Sequence, residues 1–159
     1  MNARSQKGFT LVEVCIVLVI MSILVRVSLP AFRTTLTRAR ATRAIGDLNV
    51  IREAAMAYYA ANGTWPAEAG VARIPAGLAP YLPKGYTFTR TRYRLDWQNW
   101  ALPSGLPSNP GRTVLLGVSV VTTDKVLGNA VLKLIQGNSP SLTASNQYTM
   151  LLVSSSDRL

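Results

Sequence analysis

The sequence predicts an α+β fold, in which a long N-terminal helix packs on a small antiparallel β-sheet and a short additional helix lies near residues 124–136. Three observations carry this. An apolar run from Gly8 to Leu29 leads into a stretch whose apolar residues recur every three or four positions as far as about Ala61. Beyond it, short segments alternate at period two or form β-branched runs, separated by Pro and Gly. Near Asp124 the three-to-four spacing returns for about three turns.

Taken in order, Phe9 to Leu29 is apolar on every helical face except at Glu13 and Arg26. As a helix it spans about 31 Å at ~1.5 Å per residue, enough to cross a bilayer core of ~30 Å. Pro30 cannot donate a backbone hydrogen bond, so a kink is expected there, with the helix resuming after it. Ala41, Ile45, Leu48, Ile51, Ala55 and Tyr58 then form one apolar face, while Arg40, Arg43, Asp47 and Arg52 fall on other faces. Gly46 costs ~1 kcal/mol of helix propensity and marks a weak point or a close contact. Asn62-Gly63 is a stop signal, with Pro66 beyond it.

The stretch from Ala67 to Lys84 reads as a loop with one helical turn. Tyr86 to Arg90 and Tyr93 to Trp100 read as an antiparallel strand pair, because Tyr86, Phe88, Tyr93, Leu95 and Trp97 alternate with polar residues. A proline-rich loop, Leu102 to Gly111, precedes a central strand over Thr113 to Thr122. Asp124 caps a helix running to about Gln136, with Val126, Leu127, Ala130, Val131, Leu134 and Ile135 apolar. Tyr148 to Val153 closes the sheet as its last strand.

Composition narrows the chemistry. The chain has 159 residues, 17 Lys and Arg against seven Asp and Glu, and a formal charge of +10, which attracts acidic partners without selecting among them. It has no histidine. Outside the apolar run its acids are Asp47, Glu53, Glu68, Asp96, Asp124 and Asp157, a set in which neither a catalytic triad nor a carboxylate pair is indicated. No catalytic residue, cofactor or metal site is expected. The single cysteine, Cys15, lies in the apolar run and reads as a small apolar residue in lipid.

The head of the chain is more specific. Met1 to Lys7 is short and polar, with Arg4 and Lys7 and no acid, and the small-residue cleavage site of an ordinary secretory signal is not found after Val27. Lys7-Gly8-Phe9-Thr10-Leu11-Val12-Glu13 instead resembles the processing site of class III signal peptides, found in type IV pilins and the pseudopilins of type II secretion systems. Pro30 matches that family's proline, and Ala54 to Pro66 resembles the end of its long helix and the loop that follows. The resemblance implies a pilin-like fold, cleavage between Gly8 and Phe9 by a prepilin peptidase, and N-methylation of Phe9. It divides the chain into a leader, 1–8, a transmembrane and assembly helix, 9–29, its amphipathic continuation, 30–62, and a globular body, 63–159. The cysteine pair that closes the C-terminal loop of many type IV pilins is missing. Gln136 to Leu159 offers one acid, Asp157, too few for the calcium site of the major pseudopilins.

Glu13 fits the same reading on physical grounds. An ionised carboxylate in hydrocarbon costs several kcal/mol unless it is paired or protonated. On a helix it lies about 6 Å from the Phe9 end, so the free amino terminus of a neighbouring copy, offset by that amount, supplies a cation and a register for stacking helices. A protonated Glu13 near the headgroups is the alternative. Arg26 departs from the family pattern and is placed to snorkel to the far interface or to contact another subunit. Flanking charge argues against the motif on orientation: Arg33, Arg38, Arg40 and Arg43 outnumber the leader's two cations and would hold the C-terminal part in the cytoplasm. The motif places the body in the periplasm, because the family's peptidase acts on the cytoplasmic side.

The expected function is therefore that of a non-enzymatic structural subunit, pilin or pseudopilin and in this reading a minor one, of a type II secretion pseudopilus or type IV pilus. It would sit in the bacterial inner membrane as a single-pass protein and be extracted into a filament. Its expected partners are other subunits, the prepilin peptidase, the inner-membrane assembly platform and membrane lipid. Two rivals stand beside it. A DNA-binding minor pilin of a DNA-uptake pilus would use Arg90, Arg92 and Arg94, which share one face if a strand runs through them, with Tyr93, Trp97 and Trp100 nearby, as candidate nucleic-acid contacts; the same pattern also describes an exposed arginine ladder with the aromatics turned into the core. The second is a membrane-anchored binding module that never polymerises.

Overall fold

The computed structural model describes residues 9–101 and 114–152. The expected leader with Gly8, the Leu102–Gly111 loop, Thr113, Val153 and Asp157 lie outside the described residues. The chain divides into two compact units, Met1–Leu36 and Thr37–Leu159.

One helix, α1, runs from Leu11 to Asn62 with Pro30 inside it. Within the first unit its apolar side chains are exposed, and an 18-residue window of mean hydropathy 2.5 has none of its residues buried, so this segment is long and apolar enough to cross a membrane. Pro30 leaves the Arg26 carbonyl without its helical donor. One turn on, the Thr34 and Thr35 hydroxyls donate to the carbonyls of Pro30 and Ala31 at 3.1 and 3.0 Å, and the helix continues.

In the second unit the amphipathic face is the one the spacing predicts. Ala41, Ala44, Leu48, Ile51, Ala54 and Ala55 are buried, with Ile45 and Tyr58 packed beside them. The helix stops at Gly63, whose φ of +68° lies in the left-handed region that glycine adopts without strain, and its N–H donates to the Tyr59 carbonyl at 2.8 Å. Gly46 makes no close contact: open space surrounds it, so its cost is one of helix propensity alone.

The single turn expected in the following loop is a 3₁₀ turn, Ala79–Tyr81. Among the described residues four antiparallel strands follow: β1 Arg94–Ala101, β2 Val114–Val121, β3 Ser141–Ala144 and β4 Gln147–Leu151, in the order β1-β2-β4-β3. Helix α2, Lys125–Gln136, joins β2 to β3, capped by Asp124, whose carboxylate accepts from the N–H groups of Val126 and Leu127. Leu127, Val131 and Ile135 are buried, while Val126, expected on the apolar face, is 67% exposed. Gly128 lets α2 approach the sheet, since a Cβ there would collide with the ring of Tyr148. The core joins this α2 face, the α1 face and the inward side chains Leu95, Trp97, Leu116, Val118, Val120, Tyr148 and Met150.

Two strand expectations need correction. Tyr86 to Arg90 is not a strand; one isolated bridge, Thr89 to Arg94, is its only β pairing. Its alternation has a different cause, for Phe88 enters the core while Tyr86 and Arg90 reach the side chain of Asp47 on α1. The strand β3 was not expected. Leu142 and Ala144 alternate with Ser141 and Thr143 over only four residues and none of them is buried, so the strand is held by its pairing and its two-residue turn to β4, where Ser145 has φ +51°.

Candidate functional site

The N-terminal site is built from Phe9, Thr10 and Glu13. Phe9 is 80% exposed, ahead of the first helical residue. Thr10 is the helix N-cap: its hydroxyl accepts from the Glu13 N–H at 3.3 Å, and its own N–H donates to Glu13 Oε2 at 3.5 Å. This reciprocal Thr-x-x-Glu pair satisfies donors that the first turn leaves open, and it sets the carboxylate against the positive end of the helix dipole. Thr10 had no role in the sequence reading beyond its place in the motif. Its signal was present, a threonine three residues before a glutamate at the head of an apolar run.

In the body, the expected arginine face does not form, because no strand runs from Arg90 through Arg94. Arg90 is instead a structural residue. Its Nε and Nη2 each donate to an oxygen of Asp47 at 2.9 Å, a two-pronged ion pair in which both side chains are largely covered. Tyr93 and Tyr86 add hydroxyl donors to the same carboxylate at 2.7 and 3.1 Å, and the Arg90 guanidinium lies 4.8 Å from the centre of the Tyr86 ring. Asp47, assigned by its spacing to a polar face, is thus the hub that ties α1 to the segment ahead of β1.

Burial alone would raise the Asp47 carboxyl, but hydrogen bonds from Arg90, Tyr93 and Tyr86, together with the Arg90 charge, hold it below its ordinary range. Burial, then Asp47 itself, pushes the Tyr86 and Tyr93 hydroxyls up. Tyr93 and Trp97 are buried at 7% and 0% exposure, so neither ring is available to stack on a base. Arg92 lies in the turn between Arg90 and β1, 3.9 Å from Asp124, and Arg94 opens β1.

Comparison with known proteins bears on the first of these sites. Residues 3–25 match the family model of the prokaryotic N-terminal methylation motif. Over 76 residues the chain is 38% identical to the fimbrial protein EcpC of Eikenella corrodens, covering 48% of this chain and 50% of that protein. It is 41% identical over 76 residues to the type IV major pilin protein PilE1 of Neisseria gonorrhoeae, covering 46% of each. The chain thus holds the N-terminal methylation motif and is similar over about half its length to type IV pilins and fimbrial proteins. It spans about half the length of these curated relatives. No solved structure matches it significantly.

One further buried charge in the body calls for its own account. Asp96, on the β1 face opposite Leu95 and Trp97, is 2% exposed. Its Oδ2 accepts from the Gln98 side chain, and among the described residues its Oδ1 has no hydrogen-bond partner. Burial, with the charge of Glu68 adding to it, pushes this carboxyl up to about 6. A folded-state value above the ordinary one means that ionisation opposes folding. Stability is full below about pH 4 and declines as pH rises through about 6. Asp96→Asn is expected to stabilise the body at pH 8 by about 1–3 kcal/mol and to make little difference at pH 4. Thermal melts followed by near-UV circular dichroism at the two pH values check this; equal melting of both proteins at pH 8 would refute it.

Proposed function

We propose that the chain is a structural subunit of a type IV pilus or a type II secretion pseudopilus, a minor one, assembled through its N-terminal helix. The observation that carries this reading is one carboxylate, Glu13, in the first turn of a helix whose apolar run to Leu29 holds no other acid, inside the matched methylation motif. In this proposal Met1–Gly8 is a leader removed by a prepilin peptidase. Phe9 becomes the methylated amino terminus, 9–29 spans the inner membrane, and 30–62 continues the helix past a kink at Pro30 into the periplasmic body. The assembly platform then extracts the helix from lipid. Removing an apolar helix from a bilayer is tolerable only where its surface is buried again, and other subunits' helices supply that surface. The amine of one Phe9 meets the Glu13 of a neighbouring copy, so the charge pair sets the axial register.

Intact mass of the mature N-terminal peptide, from cells with and without the peptidase, tests the first step. The expected result is a peptide beginning at Phe9 and carrying one methyl group, dependent on the enzyme. An unprocessed chain retaining Gly8 would favour a membrane-anchored module that does not polymerise.

A further inference from the structure

We propose that the body carries a phosphate-clamping site, formed by Arg40 and Arg43 of α1 with Arg92 and Arg94 of the turn into β1, that holds a nucleic-acid backbone without reading its bases. Two cavities flank that turn. One, of about 220 Å³, is lined by Arg40, Arg43, Arg90, Thr91, Arg92, Tyr93 and Leu127, and the other, of about 290 Å³, adds Arg94, Thr122 and Thr123. Among the described residues no carboxylate lines either cavity, and the two share Arg90 to Tyr93 as a common wall. Adjacent anion-attracting pockets suit a ligand whose negative charge repeats along a chain.

The cations divide into two kinds. Arg90 is held by Asp47 and shapes the wall. Among the described residues Arg40, Arg43 and Arg94 make no ion pair, and Arg92 has an exposed contact at 3.9 Å, too loose to neutralise it. Every cation at the two cavities is an arginine, whose planar fork suits the oxygens of phosphate. The chain itself is a poor source of the anion. Asp47 is engaged, Asp96 is buried and Asp124 caps α2, which leaves Glu53 and Glu68 as the body's exposed described acids, and the net charge of +10 opposes self-association through this face.

Proteins that prefer single strands stack bases on exposed aromatics. Here Tyr93, among the described residues the only aromatic lining either cavity, is buried with its hydroxyl bonded to Asp47. Binding through phosphates alone follows, with a duplex bound at least as well as a single strand and with little dependence on sequence. This inference is independent of whether the chain polymerises.

The test uses the full chain in uncharged detergent micelles, with fluorescence anisotropy of a short labelled DNA duplex and of the matching single strand, between about 50 and 200 mM salt. The combined change Arg40→Gln, Arg43→Gln and Arg92→Gln is expected to weaken duplex binding by about tenfold or more and to flatten the salt slope by about 3. The charge-matched change Arg52→Gln, Arg73→Gln and Lys133→Gln, at cations away from both cavities, is expected to weaken it much less. Four outcomes would overturn the proposal: no binding at about 50 mM salt, equal losses in the two variants, a strong preference for the single strand, or competition by polyglutamate as effective per charge as DNA. The last would point to an acidic polypeptide as the partner.

Discussion

Glu13→Gln is expected to leave membrane insertion intact and to remove the chain from filaments. Glutamine keeps the reach and the hydrogen-bond acceptor that cap the Thr10 N–H, so the first turn of α1 is preserved. What it removes is the charge that a neighbouring amino terminus would meet. A charge-assisted contact of about 1.5–3 kcal/mol corresponds to roughly 10- to 100-fold in affinity at each subunit junction, and a growing filament repeats that loss at every step. The measurement is the amount of variant in membranes and in sheared filaments, by immunoblot. Thr10→Ala provides the contrast, since it removes the cap and keeps the charge, and it is expected to assemble. Normal incorporation of Glu13→Gln would mean that capping is the whole role of Glu13.

Asp47→Ala is expected to destabilise the body by about 3 kcal/mol. The change strips one carboxylate from three donors at once, leaving the Arg90 guanidinium and the Tyr86 and Tyr93 hydroxyls in a largely covered space without their acceptor. Near-UV circular dichroism melts of the full chain in uncharged detergent report this loss, because the affected tyrosines belong to the body. An unchanged melt would show that water replaces the carboxylate at no cost. Arg90→Ala completes a double-mutant cycle, in which a coupling of about 1.5–3 kcal/mol is expected from the two-pronged pair.

The pH dependence separates the two buried aspartates. Asp47, held below its ordinary range, contributes stability that is present above about pH 4 and is lost as pH falls through its folded value. Asp96, pushed up to about 6, acts with the opposite sign, favouring the folded state at low pH and opposing it as pH rises. Their sum places the body's greatest stability in mildly acid solution. Asp96→Asn removes the decline that sets in as pH rises through about 6 and leaves the one at low pH.

Most of the fold was legible because it follows from local periodicity. The apolar run, the α1 face from Ala41 to Tyr58, the Gly63 stop, the Asp124 cap and the central strand β2 each depend on residues near in sequence, where spacing and turn chemistry act directly. Period two misled at Tyr86 to Arg90. Alternation reports that side chains point in opposite directions, and a segment anchored to a helix shows the same pattern as one paired in a sheet. The strand β3 was missed for the converse reason, since pairing through the backbone leaves no mark on side chains that face solvent.

The sequence by itself determined the N-terminal half of this protein's chemistry: the motif around Gly8 and Phe9, Glu13 in the first turn, and a helix able to cross a membrane. Those features are local, and their meaning does not depend on what lies elsewhere in the chain. Which of the body's charges are free was decided by tertiary structure. Arg90, Arg92 and Arg94 are equivalent by spacing, yet folding gives Arg90 to Asp47, 43 residues away, and gathers Arg40 and Arg43 from α1 beside Arg92. A long-range ion pair forms where two backbones happen to meet, and that meeting is set by the packing of the whole core rather than by the pattern of any one segment.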